Sequence, residues 1–211
     1  FGLTVGALWV HLAPAFFPQQ FLSKRLAQCS LIFALTIAFS FLVHLSVPFV
    51  PGKSLVAMFG IFLNYAAIAV PFITSGVCVC LILTRFPKQV SRLYAFDLIG
   101  AALGCLGLAF LLSIMDGPSA VIAIAAVAAL AAFFFAKEAG SKQLVALSLL
   151  FMAAFGTFSV ANAWLARKQN AFLRIMWVKE KLEPALIYEK WNPFSRVTVS
   201  QVKQGGTQPF L

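Results

Sequence analysis

Acidic side chains are scarce in this chain: six Asp and Glu among 211 residues, beside two His. That scarcity excludes most chemistry that depends on carboxylates. No carboxylate pair stands at catalytic spacing in the polar C-terminal stretch, and no Ser, His and Asp are arranged for nucleophilic attack. No glycine-rich nucleotide loop follows a strand, and Gly205-Gly206 is only a turn signal. The four cysteines, Cys29, Cys78, Cys80 and Cys105, all lie in apolar runs. Cys78 and Cys80 do not have a zinc spacing, and residues two apart on a helix point in different directions. All four read as small core residues, and the chain calls for no cofactor and no metal. Charge itself is missing from Ser54 to Thr84. An uncharged apolar run of that length has one ordinary explanation, a bilayer crossing.

What is present agrees. The chain is 62% hydrophobic and 10% charged, with a mean hydropathy of +0.95. That is the composition of an integral membrane protein. The formal net charge of +10 would suggest nucleic acid in a soluble protein. Here the basic residues gather at the ends of apolar runs, where they fix topology and meet anionic headgroups. The expected partner is the lipid bilayer, and nucleic acid is not expected.

Six apolar segments are visible: Phe1–Phe17, Cys29–Val50, Ser54–Thr84, Leu93–Met115, Ser119–Ala136 and Leu144–Leu165. They predict an all-α integral membrane protein of about six transmembrane helices. The chain opens on Phe1, without Met and inside an apolar run, so it reads as a fragment or processed product. Phe1–Phe17 then reads as a truncated spanning helix. The third segment is too long for one straight crossing. A kink at Pro71, with a polar contact from Asn64, is one reading; a re-entrant element is the other.

The short connections carry a charge pattern. Lys24 and Arg25 lie in the first, Lys53 in the second, and Arg85, Lys88 and Arg92 in the third. Asp116 lies in the fourth, and Lys137, Glu138 and Lys142 in the fifth. Alternate connections thus hold seven basic residues against one. The positive-inside rule places the first, third and fifth in the cytoplasm, and a sixth crossing sends the C-terminal tail to the opposite side.

The transmembrane domain is expected over 1–165 and a polar tail over 166–211. Within the tail, Ala185–Trp191 and Arg196–Val202 alternate as strands do, separated by Asn192-Pro193-Phe194-Ser195. The tail thus carries a β-hairpin-like segment. Two strands bury too little to stand alone, so the tail reads as a linker and the first strands of a soluble domain. Trp177, Trp191, Tyr188 and Phe194 form an aromatic group suited to the headgroup level or to packing a hairpin.

Asp97 is the main site candidate, because a carboxylate inside a membrane segment faces protein or water. The alternative is an interfacial pair with Arg92, Lys88 or Arg85. Asn64 is the second ligand-binding candidate. Gly100, Gly104 and Gly107, and Gly2 and Gly6, have spacings that let another helix approach closely. His11 and His44 sit at different expected depths, which argues against a shared haem and for packing roles.

Two strings carry a resemblance. Arg92-Leu-Tyr-Ala-Phe-Asp97-Leu-Ile-Gly100-Ala-Ala-Leu-Gly104-Cys and Tyr188-Glu-Lys-Trp191-Asn192-Pro-Phe-Ser195-Arg196-Val197 resemble multi-pass bacterial membrane proteins of the spermidine synthase-like family. Pro71-Phe72 with Gly76 looks like that family's kinked helix. The resemblance spans roughly residues 2–202 and rests mainly on the two strings. It implies a membrane module that precedes a Rossmann-like aminopropyltransferase domain. The family's nucleoside site and catalytic carboxylates belong to that downstream domain, so no catalytic residue is carried over here. A decarboxylated S-adenosylmethionine substrate would be cytoplasmic, whereas the loop charges send the tail outside. Either one segment does not fully cross, or the domain is extracytoplasmic and not a polyamine synthase of the usual kind. The composition also suits a structural or accessory subunit of a larger membrane complex, given the Ala-rich fifth segment. A small-cation transporter built on Asp97, Asn64 and Pro71 is the third reading.

Overall fold

The computed structural model describes residues 1–47, 54–178, 181–184 and 186–200. Among them six α-helices run in chain order: α1 (Gly2–Leu12), α2 (Leu22–Ser46), α3 (Leu55–Arg85), α4 (Val90–Ile114), α5 (Gly117–Glu138) and α6 (Lys142–Arg167). The described residues hold five candidate membrane spans: Gln19–Ser46, Leu55–Arg85, Pro87–Ile114, Gly117–Glu138 and Lys142–Arg167. The chain is a multi-pass membrane protein by this measure.

The described residues do not bring the count to the six spans expected, because α1 is a shorter apolar helix. α1 holds 11 residues, which at 1.5 Å each gives about 16 Å, half of a hydrocarbon core. Pro14 and Pro18 explain the stop. Neither can donate a backbone N–H, and short 3-10 turns over Pro14–Phe16 and Gln19–Phe21 replace the helix. The re-entrant alternative for the third segment also falls. α3 is one continuous helix of 31 residues with Pro71 inside it, about 46 Å long.

Local chemistry sets the helix starts. Ser54, Asp116 and Ser141 each occupy an N-cap and accept a backbone N–H through the side chain, from Ala57, Ser119 and Leu144 respectively. Gly140 ends the α5 turn at φ 63°, a conformation glycine adopts without Cβ strain.

The helices pack as a row, α1 against α3, α3 against α2, α2 against α5 and α5 against α6. One core cluster joins Val10 and Phe17 to Leu22, Leu26, Val77 and Leu81. A second places Ala34 of α2 on Ala128 and Ala129 of α5, with Phe151 and Phe155 of α6 around them. The alanines of the fifth segment are the reason α5 sits in the middle. Ala125, Ala129, Ala132 and Ala136 recur at helical spacing and are all fully buried. Small side chains let two neighbours approach on opposite sides.

Helix α4 stands apart from the row, and none of its residues is buried. Cys105, on this helix, is exposed, which corrects its reading as a core residue. The other three cysteines are half-buried and free.

Two small antiparallel hairpins follow α6: β1 (Trp177–Val178) with β2 (Lys181–Leu182), and β3 (Leu186–Trp191) with β4 (Arg196–Ser200). The second is the hairpin expected from sequence, although Ala185, Gln201 and Val202 lie outside the described residues. In its turn the Asn192 carboxamide oxygen accepts from the N–H groups of Phe194 and Ser195, each at 2.8 Å. An Asx turn thus reverses the chain. The first hairpin was not anticipated.

Candidate functional site

The two ends of the helix row differ in chemistry. At one end lie Lys24, Arg25, Arg85, Lys88, Arg92, Lys137 and Lys142. Arg85 there donates to the Phe17 carbonyl at 3.0 Å, tying α3 to the turn after α1. The opposite end carries Asp116 and the tail. Arg167 donates to the Ile114 carbonyl at 2.9 Å, so the exit of α6 and the α4–α5 turn share that end.

The tail is seated there by a buried polar network. Asp116 accepts from the Ser119 hydroxyl at 2.7 Å, and Ser159 donates to the Ser119 carbonyl at 2.8 Å. Asn162 is fully buried and donates to Ser119 Oγ at 2.9 Å. The same carboxamide accepts the Leu173 N–H at 2.8 Å and donates to the Leu173 carbonyl at 3.3 Å. Each partner in this apolar setting would otherwise hold an unmet hydrogen bond, so the network favours one arrangement. Ser119, Ser159 and Asn162 were not among the sequence candidates. The available signal was three polar residues at the ends of two apolar segments.

Farther out, Trp191 lies on Gly117. A Cβ at Gly117 would come within 2.6 Å of the indole ring. Arg196 makes a two-point contact with Glu183 at 2.7 and 2.8 Å, and its Nε donates to Glu189 at 2.8 Å. Burial pulls the Arg196 pKa down, but the hydrogen bonds and charges of Glu183 and Glu189 outweigh it and hold it above the ordinary value. The Trp191 indole N–H also donates to Glu189, at 2.6 Å. A cavity of about 280 Å³ lies between this cluster and the bundle, with Asp116, Arg174, Glu183, Glu189 and Arg196 on its walls. Its carboxylates are already engaged, two by Arg196 and one by Ser119.

The tail string is therefore brought together in part. Trp191, Asn192, Ser195 and Arg196 form the turn and its anchor, whereas Tyr188 is exposed and Phe194 is 97% exposed.

A second cavity, of about 680 Å³, lies between α2, α3 and residues 175–177. His44 and Asn64 meet there, Nδ1 to Oδ1 at 3.3 Å. Asn64 thus contacts His44 and the Gly60 carbonyl. Trp177 and Tyr65 line the same cavity.

Asp97 is exposed on α4 and lines none of these cavities. The alternative, an interfacial pair with Arg92, Lys88 or Arg85, is not formed: the ion pairs among the described residues are those of Arg196. Arg92 lies instead over the Phe96 ring, 5.7 Å from its centroid. The glycines divide. Gly2 and Gly6 press on α3, with an added Cβ reaching 2.6 Å from the Ala69 oxygen and 2.8 Å from the Val77 nitrogen respectively. Gly100, Gly104 and Gly107 have nothing within 4 Å of such an atom, so among the described residues they pack no helix.

Among the described residues, no group of three His, Cys, Asp or Glu could hold a metal ion. No family model, curated protein or solved structure matches this chain.

Proposed function

We propose that this chain is a membrane-anchoring module that holds a C-terminal soluble unit against one face of the bilayer. The observation that carries the reading is the Asn162–Leu173 clamp. The segment leaving α6 is fixed to the bundle through both backbone groups of Leu173. A free linker would need no such clamp. The charge asymmetry supports an inner-membrane protein of bacterial type with the Asp116 end and tail outside the cytoplasm. The resemblance of the two strings supports a spermidine synthase-like protein whose Rossmann-like domain would follow the tail. The reading frame downstream of Leu211 tests that step. A glycine-rich nucleotide loop there supports the enzyme version; a frame without one overturns it. The anchoring step is tested separately by spin labels on Ala166 and Val197 in nanodiscs. A narrow distance distribution supports anchoring, and a broad one shows a loose tail and defeats it.

A second reading has its own observation. Helix α4 has no buried residue, and Gly100, Gly104 and Gly107 face no other element among the described residues. We propose as the alternative an accessory subunit of a larger membrane complex, with α4 against another membrane subunit. Purification in mild detergent decides: a stoichiometric partner supports it, and a chain that runs alone counts against it.

A further inference from the structure

The 680 Å³ cavity between α2, α3 and residues 175–177 is within the size range of small-molecule sites. Most of its wall is apolar, including Phe41, Ile61, Ile68 and Met176. Among the described residues no Lys, Arg, Asp or Glu lines it, so these walls offer no counter-charge to a phosphate, a carboxylate or a polyamine. Its polar features are His44, Asn64, the Tyr65 hydroxyl and the Trp177 indole.

The hydrogen bonds fix what His44 offers. The Asn64 amide nitrogen donates to the Gly60 carbonyl at 3.1 Å, which turns the carboxamide oxygen toward His44. His44 Nδ1 therefore carries the hydrogen. In the neutral form of this exposed ring, Nε2 is then a lone-pair acceptor that a hydroxyl can reach. His44 also lies two residues from the end of α2, about 3 Å along the axis, where amphiphile heads sit. Phe41 and Ile68 lie one turn deeper than His44 and Asn64 on their helices and would flank an apolar chain.

We infer that this cavity binds a neutral single-chain lipid whose head is a hydroxyl, such as a long-chain monoacylglycerol, with the hydroxyl donating to His44. The inference does not depend on the anchoring reading, since it concerns the α2–α3 face and not the tail clamp.

The test uses the whole chain in nanodiscs and a photoreactive monoacylglycerol with a diazirine on its acyl chain. The comparison probe is the methyl ester of the same acyl chain, which lacks hydroxyls. Labelled peptides are mapped by mass spectrometry. The expected result is labelling of the peptides containing Phe41 and Ile68, and weaker labelling by the methyl ester. Ile68→Trp, which fills the cavity, should abolish it. His44→Phe should lower labelling about 2- to 12-fold, the worth of one hydrogen bond. Elution volume and melting of both variants show that they are folded. Equal labelling by the two probes, labelling that survives Ile68→Trp in a folded protein, or no labelling of the wild type would each overturn the inference.

Discussion

Asn162 treats Leu173 as a strand would treat its neighbour, accepting its N–H at 2.8 Å and donating to its carbonyl at 3.3 Å. A buried side chain thereby satisfies backbone groups that the exit from α6 leaves unpaired. Asn162→Leu should leave the helix row intact but release the tail. An unmet buried group costs about 1–3 kcal/mol, so exchange of the Leu173 amide should quicken roughly 5- to 150-fold. Hydrogen exchange followed by mass spectrometry gives the number. Unchanged exchange would show that the clamp is incidental.

Gly117 is the floor on which Trp191 rests. Gly117→Leu should push the indole off while keeping the α5 start, because Asp116 still caps it. Trp191 fluorescence in detergent should shift to the red as the ring meets water. The change is expected without a comparable drop in bundle melting, since the atom displaced is a side chain at the periphery.

Gly6 is a different case, because what it faces is backbone. Its missing Cβ leaves room for the Val77 nitrogen at 2.8 Å and the Ile73 carbonyl. Gly6→Leu should separate α1 from α3 and cost about 1–3 kcal/mol through overpacking. Denaturation in mixed micelles would register it. Gly104→Leu, by contrast, should be silent in the same assay, because no described residue opposes it.

The sequence made the membrane class legible through charge-free length, which needs no tertiary knowledge. Helix existence followed for α2 to α6, because each apolar run exceeds what a strand needs and is bounded by capping or basic residues. The turn at Asn192-Pro193-Phe194-Ser195 was legible for the same local reason. The end of α1 was readable from Pro14 and Pro18, which lie inside the first apolar run. Packing was not legible. Gly2 and Gly104 have the same local signature, yet one meets α3 and the other meets nothing. Periodicity says which residues share a face, not whether a partner exists. The clamp was missed because Ser119, Ser159 and Asn162 are unremarkable alone, and only the fold brings them together.

Asp97 separates the two functional readings. It is exposed on α4 and has no hydrogen bond or ion pair among the described residues. It lies three residues before Gly100 and seven before Gly104, on one helical face. A carboxylate held in hydrocarbon is costly, so a face that carries one beside glycines suits a polar neighbour better than lipid. Asp97→Asn should therefore leave the melting of the isolated chain unchanged, because no partner among the described residues is lost. If another membrane subunit covers α4 with a cation or donor, the same substitution strands that group and weakens association. A buried pair broken on one side costs about 3–5 kcal/mol, roughly 150- to 4,000-fold in a dissociation constant. Co-purification in mild detergent, with and without the substitution, measures it. Unchanged co-purification, or no partner in either sample, would leave Asp97 outside any interface and the anchoring reading as the stronger one.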